Sequence, residues 1–480
     1  MSHPAGLQIR SQLPLTVTRI RGDPGDSLSI LALSKPVAAL LFYTEFNMSQ
    51  TLIGRYLPGL SQYEDIYKQL HANPELPDLE EETASLIEGH LRKLSSDLEI
   101  KTKIGGHGII AICRNGNGRT ILLRADFDAL PVEEKTGLEY ASTKKMKDVN
   151  DDLKPVMHAC GHDFHVTSLL AAAETALKGR DAWSGTIVFL FQPAEERGTG
   201  AAAMVDDGLY DPKKHACPVP DMVLGQHVMP YRAGSVATKA GTMMSAADSF
   251  KVTIYGRGAH GSQPHHAIDP VVIASYIVVR LQTICSREVP PDETAVVTVG
   301  SIQSGDTENI ISAEAVLKID IRSVTQEWRQ RILESVKRIV RAECEAGRCP
   351  KEPVFERTRT YPLTHNDKEV NDAIEKSFSS WFGENHKSKP EPHLASEDVS
   401  ILASSVNRPC CFWFFGGIDA KEWDERENNG TLDEIAVNHS PYFAPVLQPT
   451  LKTGVEALTV AIMTFLGTSS NEMLYSPADV

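Results

Sequence analysis

Short, continuous apolar runs that break off at titratable residues constrain this chain more than any other feature. Thr120 to Phe127 reads TILLRADF, Thr186 to Phe191 reads TIVFLF, and Met222 to Gly225 stops at Gln226 and His227. Runs without polar alternation are the mark of strands buried on both faces, as in a parallel sheet covered by helices. Helical spacing surrounds them: Tyr63 to about Leu94, interrupted by HANPELPDLEEETA, and a segment starting near His165. Strands alternating with helices predict an α/β domain whose active groups lie beyond the carboxyl ends of the strands. Asp126, Asp128, Glu195, Glu196 and His227 all fall there.

The pattern changes near Ala240. Phe250, Val252 and Ile254 alternate with Lys251, Thr253 and Tyr255, which is a half-buried strand. A helix over Asp269 to Cys285 follows, then strands near Thr294 to Ser301 and Ala315 to Arg322. A charged amphipathic helix, Gln326 to Ala346, and a strand from Pro353 to Thr360 complete the order βαββαβ, a ferredoxin-like arrangement. After Pro362 the earlier alternation resumes, with a helix over Asp367 to Phe382, a strand over Cys410 to Phe415 and a closing helix over Leu451 to Leu466. The expectation is one α/β domain in two segments, 48–244 and 362–480, with an α+β domain inserted at 245–361. Residues 1–47 read as a disordered extension or as a mispredicted gene start.

With 480 residues and 41% apolar content the chain can fill more than one core. Its net charge of −15 disfavours nucleic acid or an anionic membrane as partner. Eight scattered cysteines fit a reducing, cytoplasmic compartment better than a secreted disulfide framework. No apolar run approaches the roughly 20 residues that span a bilayer, and Val37 to Tyr43 is too short and too far in for a signal peptide.

Chemistry concentrates in RADFDALP (124–131), MHACGHD (157–163), QPAEE (192–196), HVMP (227–230) and NHSPYF (438–443). Cys160 and His162 flank Gly161, and a thiolate with an imidazole on such a turn suits a borderline cation such as Zn²⁺ or Mn²⁺. Singly, each cluster has a plainer reading: a surface histidine, a solvated acid pair, a small buried cysteine. Five together, most at the ends of strands in one expected sheet, argue for a site.

These motifs, with FQPAEE, GRGAHGSQPH and SEDVS, resemble peptidase family M20, and within it the amidohydrolase branch acting on N-acyl amino acids and auxin–amino acid conjugates. The similarity runs from about Tyr63 to Gly467. It implies a zinc-exopeptidase-like catalytic domain with an inserted lid and dimerisation domain, hence a homodimer. It also implies that Cys160, His162, Glu196, His227 and His439 hold two divalent metals per subunit, Mn²⁺ or Zn²⁺, with Cys160 bridging. Glu195 would be the general base, Asp128 a carboxylate orienting a ligand, and His260 an oxyanion donor in the partner subunit's active site. Asn309 and Arg322 would face the substrate carboxylate, although NIIS at 309–312 lacks the proline that often follows this asparagine. Asp126 stands where many wider-family members have a metal-binding histidine, a departure characteristic of the amidohydrolase branch.

Plainer readings stay open at this level. Asp126 and Asp128 could serve turn chemistry, and His260 could cap a glycine-rich turn. Lys144 to Lys154 reads as an extra polar loop near the pocket mouth, able to alter substrate choice or merely tolerated. His158 and His165 read as ligand-supporting or helix-packing residues. The expected function is hydrolysis of the amide bond of an N-acyl amino acid or small conjugate. A dipeptidase or carboxypeptidase of the wider family and a catalytically silent, metal-stabilised dimeric binding protein are the alternatives.

Overall fold

The computed structural model describes residues 52–388 and 391–468. The extension expected over residues 1–47 lies outside them. In chain order the principal elements are α1 (Ser61–Ala72), α2 (Glu81–Leu94), β1 (Glu99–Ile104), β2 (Gly108–Asn115), β3 (Thr120–Asp126), α3 (His162–Lys178), β4 (Gly185–Gln192), β5 (Met222–Arg232) and β6 (Val236–Thr238). They continue with β7 (Ala246–Tyr255), α4 (Pro270–Thr283), β8 (Ala295–Gln303), β9 (Glu314–Ser323), α5 (Gln326–Ala346), β10 (Val354–Tyr361), α6 (Lys368–Phe382), β11 (His386–Ser388), β12 (Cys410–Ile418) and α7 (Leu447–Leu466).

Eight strands form the larger sheet in the order β1-β2-β4-β3-β5-β12-β6-β11. The centre is parallel, β4 to β3 to β5 to β12, and the β1-β2 edge is antiparallel. The fold is therefore mixed α/β around a largely parallel sheet. Continuous apolar sequence is the cause: every residue of β4 and β12 is buried, because apolar side chains on both faces leave water on either side. One face packs on α1, α2, α3 and α7 through Phe164, Leu170, Phe189, Trp413 and Leu458. Opposite it, Leu122, Val188, Leu190, Val223 and Phe412 meet Met204, Met243 and Leu402.

The smaller sheet is antiparallel, in the order β8-β9-β7-β10. One face is covered by α4 and α5, with Val252, Ile254, Ile277, Leu281, Ile319 and Val336 in its core. Along the chain the elements from β7 to β10 run strand, helix, strand, strand, helix, strand. The charged helix forms at the expected bounds, because Thr325 caps its first turn by accepting from the Trp328 amide and its apolar residues recur on one face.

Three local expectations change. β5 does not stop at His227 but runs to Arg232, pairing with β12 through Ile418, so His227 sits within a strand. The segment around Lys144 to Lys154 is a small hairpin, Lys145–Lys147 against Leu153–Pro155. The antiparallel strands β1 and β2, which periodicity did not pick out, extend the sheet beyond its parallel centre. Among the described residues no helix is long and apolar enough to cross a membrane.

Candidate metal centre

Three turns bring the chemistry together. The first is Cys160-Gly161-His162, leading into α3. Gly161 has φ +84, and a Cβ there would lie 2.4 Å from Val228 Cγ1, so both the backbone conformation and the space favour glycine. The second is the short 3₁₀ turn Glu195–Arg197 after β4, entered through Ala194 at φ 51, a left-handed conformation that costs a non-glycine residue energy. The third carries His439, also left-handed at φ 70. Its backbone is stapled to the first turn: the His439 amide donates to the Ala159 carbonyl at 2.8 Å. Asn438 Nδ2 donates to the carbonyls of Cys160 and Val228, each at 3.2 Å.

The side chains converge. Cys160 Sγ is 3.4 Å from His227 Nε2, and Glu196 Oε1 lies 3.3 Å from His439 Nε2 and 3.9 Å from His162 Nε2. Ligand atoms bound to one Zn²⁺ at about 2.0–2.3 Å stand roughly 3–4 Å from one another in a tetrahedral sphere. Among the described residues, potential donor atoms within 4.8 Å of one another include two triads that share Cys160: Cys160, His162 and His227, and Cys160, Glu196 and His439. Two more contain Glu195, one with His162 and Glu196 and one with Glu397 and Asp398. Buried His162 Nε2 and Glu195 Oε1 make no hydrogen bond to any described protein group, and an atom buried without a partner costs about 1–3 kcal/mol. Although burial lowers the pKa of His162, Asp126, Asp128 and Glu196 together raise it to about 10. Such an electronegative pocket favours a cation, and its soft and borderline donors fit a divalent transition metal.

A further triad, Asp126, His162 and His165, does not offer three free donors. His165 Nδ1 donates to Asp126 Oδ1 at 2.5 Å, while its Nε2 accepts the Val228 amide at 2.9 Å. The other Asp126 oxygen accepts from Arg124 at 2.7 Å. Both side chains are thereby consumed in supporting the site, the first of the two readings given for His165. His158 is buried without a partner on either nitrogen, and burial pushes its pKa down to about 4, so it packs as a neutral ring.

Asp128 touches two of the converging residues. Its main-chain carbonyl accepts from His162 Nδ1 at 2.9 Å, and its carboxylate accepts the Glu196 amide at 3.0 Å. Glu195 is buried, and its carboxyl is held well above the usual range, first by burial and then by Glu397, Glu196 and Asp398.

Sequence reasoning gave no role to the groups beneath. Arg124, fully buried, donates to Glu397 at 2.8 Å and to Asp126 at 2.7 Å, and lies 3.3 Å from Asp398. Asp398 in turn accepts from Gln192 and from the Ala201 amide. The HANPELPDLE segment supplies three supports: Glu75 accepts the Thr83 amide in the first turn of α2, Glu80 accepts the Ala194 amide at 2.9 Å, and His71 bridges Asp163 and Glu134. The signal was present, since acids and histidine clustered in an otherwise helical stretch, but their partners are distant in sequence.

The remaining candidates lie on the smaller sheet's side. His260 pairs with Ile310 in a short two-stranded antiparallel sheet, and beside it the Gly261 amide donates to the Asn309 carbonyl at 2.7 Å. His260 Nδ1 is held by Ser262. Among the described residues no hydrogen bond or ion pair joins either side chain to the converging donors. Arg322 is engaged by Asp320 at 2.9 Å and donates to the Leu394 carbonyl and Ser396 hydroxyl, just before Glu397.

Comparison with known proteins places the chain in a family. The model of peptidase family M20/M25/M40 matches residues 122–462. An N-acetyl-L-cysteine deacetylase of Bacillus subtilis (strain 168) is 36% identical over 385 residues, 79% of this chain and 85% of the relative. A hippurate hydrolase of Campylobacter jejuni is 36% identical over 366 residues, 76% and 90% of the two chains. A crystal structure of the Bacillus subtilis YXEP protein, described as a dinuclear metal binding peptidase from M20 family, superposes with a TM-score of 0.65 at 25% identity, covering 84% of this chain and 98% of that one.

Proposed function

The chain belongs to the M20/M25/M40 peptidase family and is a metal-dependent amide hydrolase; from that premise we propose that it cleaves the acyl–nitrogen bond of N-acyl amino acids or related small amide conjugates. The observation that carries the reading is Cys160, common to two donor triads, beside the unpartnered Oε1 of Glu195. The relatives named for N-acetyl-L-cysteine and hippurate support the substrate class.

Cys160, His162, His227, Glu196 and His439 would hold two divalent ions, Mn²⁺ or Zn²⁺. Such ions supply Lewis acidity at the scissile carbonyl and lower the pKa of water. Glu195 removes the proton from the attacking water and returns it to the leaving amine. The turn places a Glu195 carboxylate oxygen within 4.8 Å of donor atoms of both His162 and Glu196, close enough to take a proton from a water beside the donor set. Asp128 keeps the His162 ring in the tautomer whose Nε2 is free to ligate.

Residues 245–361 act as lid and dimerisation domain between the catalytic segments 48–244 and 362–480. In support, α4 exposes Val272, Tyr276 and Val279 at i, i+4 and i+7, with Val271 beside them and Ile302 on β8. Across a homodimer His260 donates to the oxyanion in the partner's site, and Arg322 and Asn309 recognise the substrate carboxylate. All eight cysteines are free, which suits a cytoplasmic enzyme.

The test is a panel of N-acyl amino acids against free dipeptides on purified protein, with elemental analysis. Preference for dipeptides would overturn the substrate class. Glu195→Gln should keep fold and metal content and abolish turnover; undiminished turnover means that the base lies elsewhere.

A further inference from the structure

The two sheets are joined by two crossings of the chain, which lie side by side. The outgoing one runs from Gly241–Met244 into β7, and the returning one from β10 into Thr364–Asn366. Ala247 pairs with Tyr361, and Met244 with Thr364, so the crossings form one narrow ribbon. Any swing of the smaller sheet relative to the larger must pass through it.

Tyr361 sits on that ribbon and is only 5% exposed. Its hydroxyl donates to the main-chain carbonyl of Glu195 at 3.0 Å. The same carbonyl accepts the Gly198 amide at 2.7 Å, the bond that closes the 3₁₀ turn. Gly198, at φ +68, lies so close that a Cβ there would come within 2.9 Å of Tyr361 Cζ and 3.0 Å of the Thr360 carbonyl oxygen. The turn carrying Glu195 and Glu196 therefore leans on the ribbon through a ring contact and a hydrogen bond. From the other side, Glu80 holds the turn through the Ala194 amide.

We propose that Tyr361 is a positioning residue, tying the orientation of the Glu195 turn to the ribbon so that the position of the smaller sheet sets the aim of the Glu195 carboxylate. This rests on the reading of Glu195 as general base. One anchor of the turn, Glu80, belongs to the catalytic side and stays put; the other moves with the ribbon. Rotation at the ribbon then tilts the turn instead of carrying it along.

Tyr361→Phe keeps the ring and removes only the hydroxyl. Its kcat should fall about tenfold with KM changed less than about twofold, the pattern of an interaction that matters in the transition state. Metal content and thermal midpoint should match wild type. Hydrogen exchange in a peptide spanning residues 194–199 should quicken, because the carbonyl loses its second donor while the rest of the fold is intact. A wild-type kcat, or a kcat that falls only in step with metal content or thermal midpoint, overturns the proposal. Glu195→Gln separates the two failures. If that variant still turns over, the assignment of the base has failed, whatever Tyr361→Phe does. If it is dead while Tyr361→Phe is unimpaired, the positioning role alone has failed.

Discussion

The main-chain carbonyl of Asp128 accepts a hydrogen bond from His162 Nδ1 at 2.9 Å, while the carboxylate of the same residue accepts the Glu196 amide at 3.0 Å. One residue thus orients a donor from each of the two triads, one through its backbone and one through its side chain. Asp128→Asn keeps the carbonyl but weakens the grip on the Glu196 turn. Partners of this kind typically contribute 10–100-fold in metal affinity, so a loss of about that size is expected in competition with a chelator, at unchanged fold by circular dichroism.

Arg124 is the cation that makes the acids beneath the site tolerable. Arg124→Met leaves Glu397, Asp398 and Asp126 buried without it. Removing one partner of a buried ion network costs about 3–5 kcal/mol. Urea denaturation of the purified variant should show a loss of that order, and a wild-type midpoint would mean that the acids are neutral in the folded chain.

His71 makes stability depend on alkaline pH. Burial alone would lower its pKa, yet hydrogen bonds to Asp163 and Glu134 outweigh that and lift it to about 9. A raised folded-state value means that the stabilisation is complete below the unfolded value of about 6.5 and vanishes as pH rises through about 9. Asp163 and Glu134 are correspondingly depressed, so the same interaction is lost at acid pH as they protonate. The interaction is worth at most about 3 kcal/mol. Wild-type thermal midpoints should drop between pH 7 and 10 by more than those of His71→Asn; parallel curves would show that the cluster is not charged.

The stripe of Val272, Tyr276 and Val279 on α4 is apolar and exposed, and carries the proposed dimer contact. Val279→Asp should shift the protein toward monomer in light scattering, since an unpaired charge in an apolar interface is costly. A dimer of unchanged affinity would place the interface on another face.

Much of the fold was legible along the chain. The apolar runs at Thr120, Thr186 and Cys410 became buried strands, and Gln326 to Ala346 became a helix at its expected bounds. The edge strands β1 and β2 were not, because mixed sequences such as EIKTKI carry no clean period. His227 stood at an expected strand end and lies inside the strand, since pairing with β12 extends it.

The sequence by itself determined which donors are available and which neighbours they have: Cys160 two residues from His162, Glu195 next to Glu196, apolar runs that must be buried together. Tertiary structure alone decided that Arg124 meets Glu397 across 273 positions and that Tyr361 braces the turn of Glu195. The physical reason is that a side chain's reach is a few ångströms while these partners are tens to hundreds of residues apart. Their meeting depends on sheet order and strand register, and on left-handed turns at Ala194 and His439 that the surrounding packing holds in place.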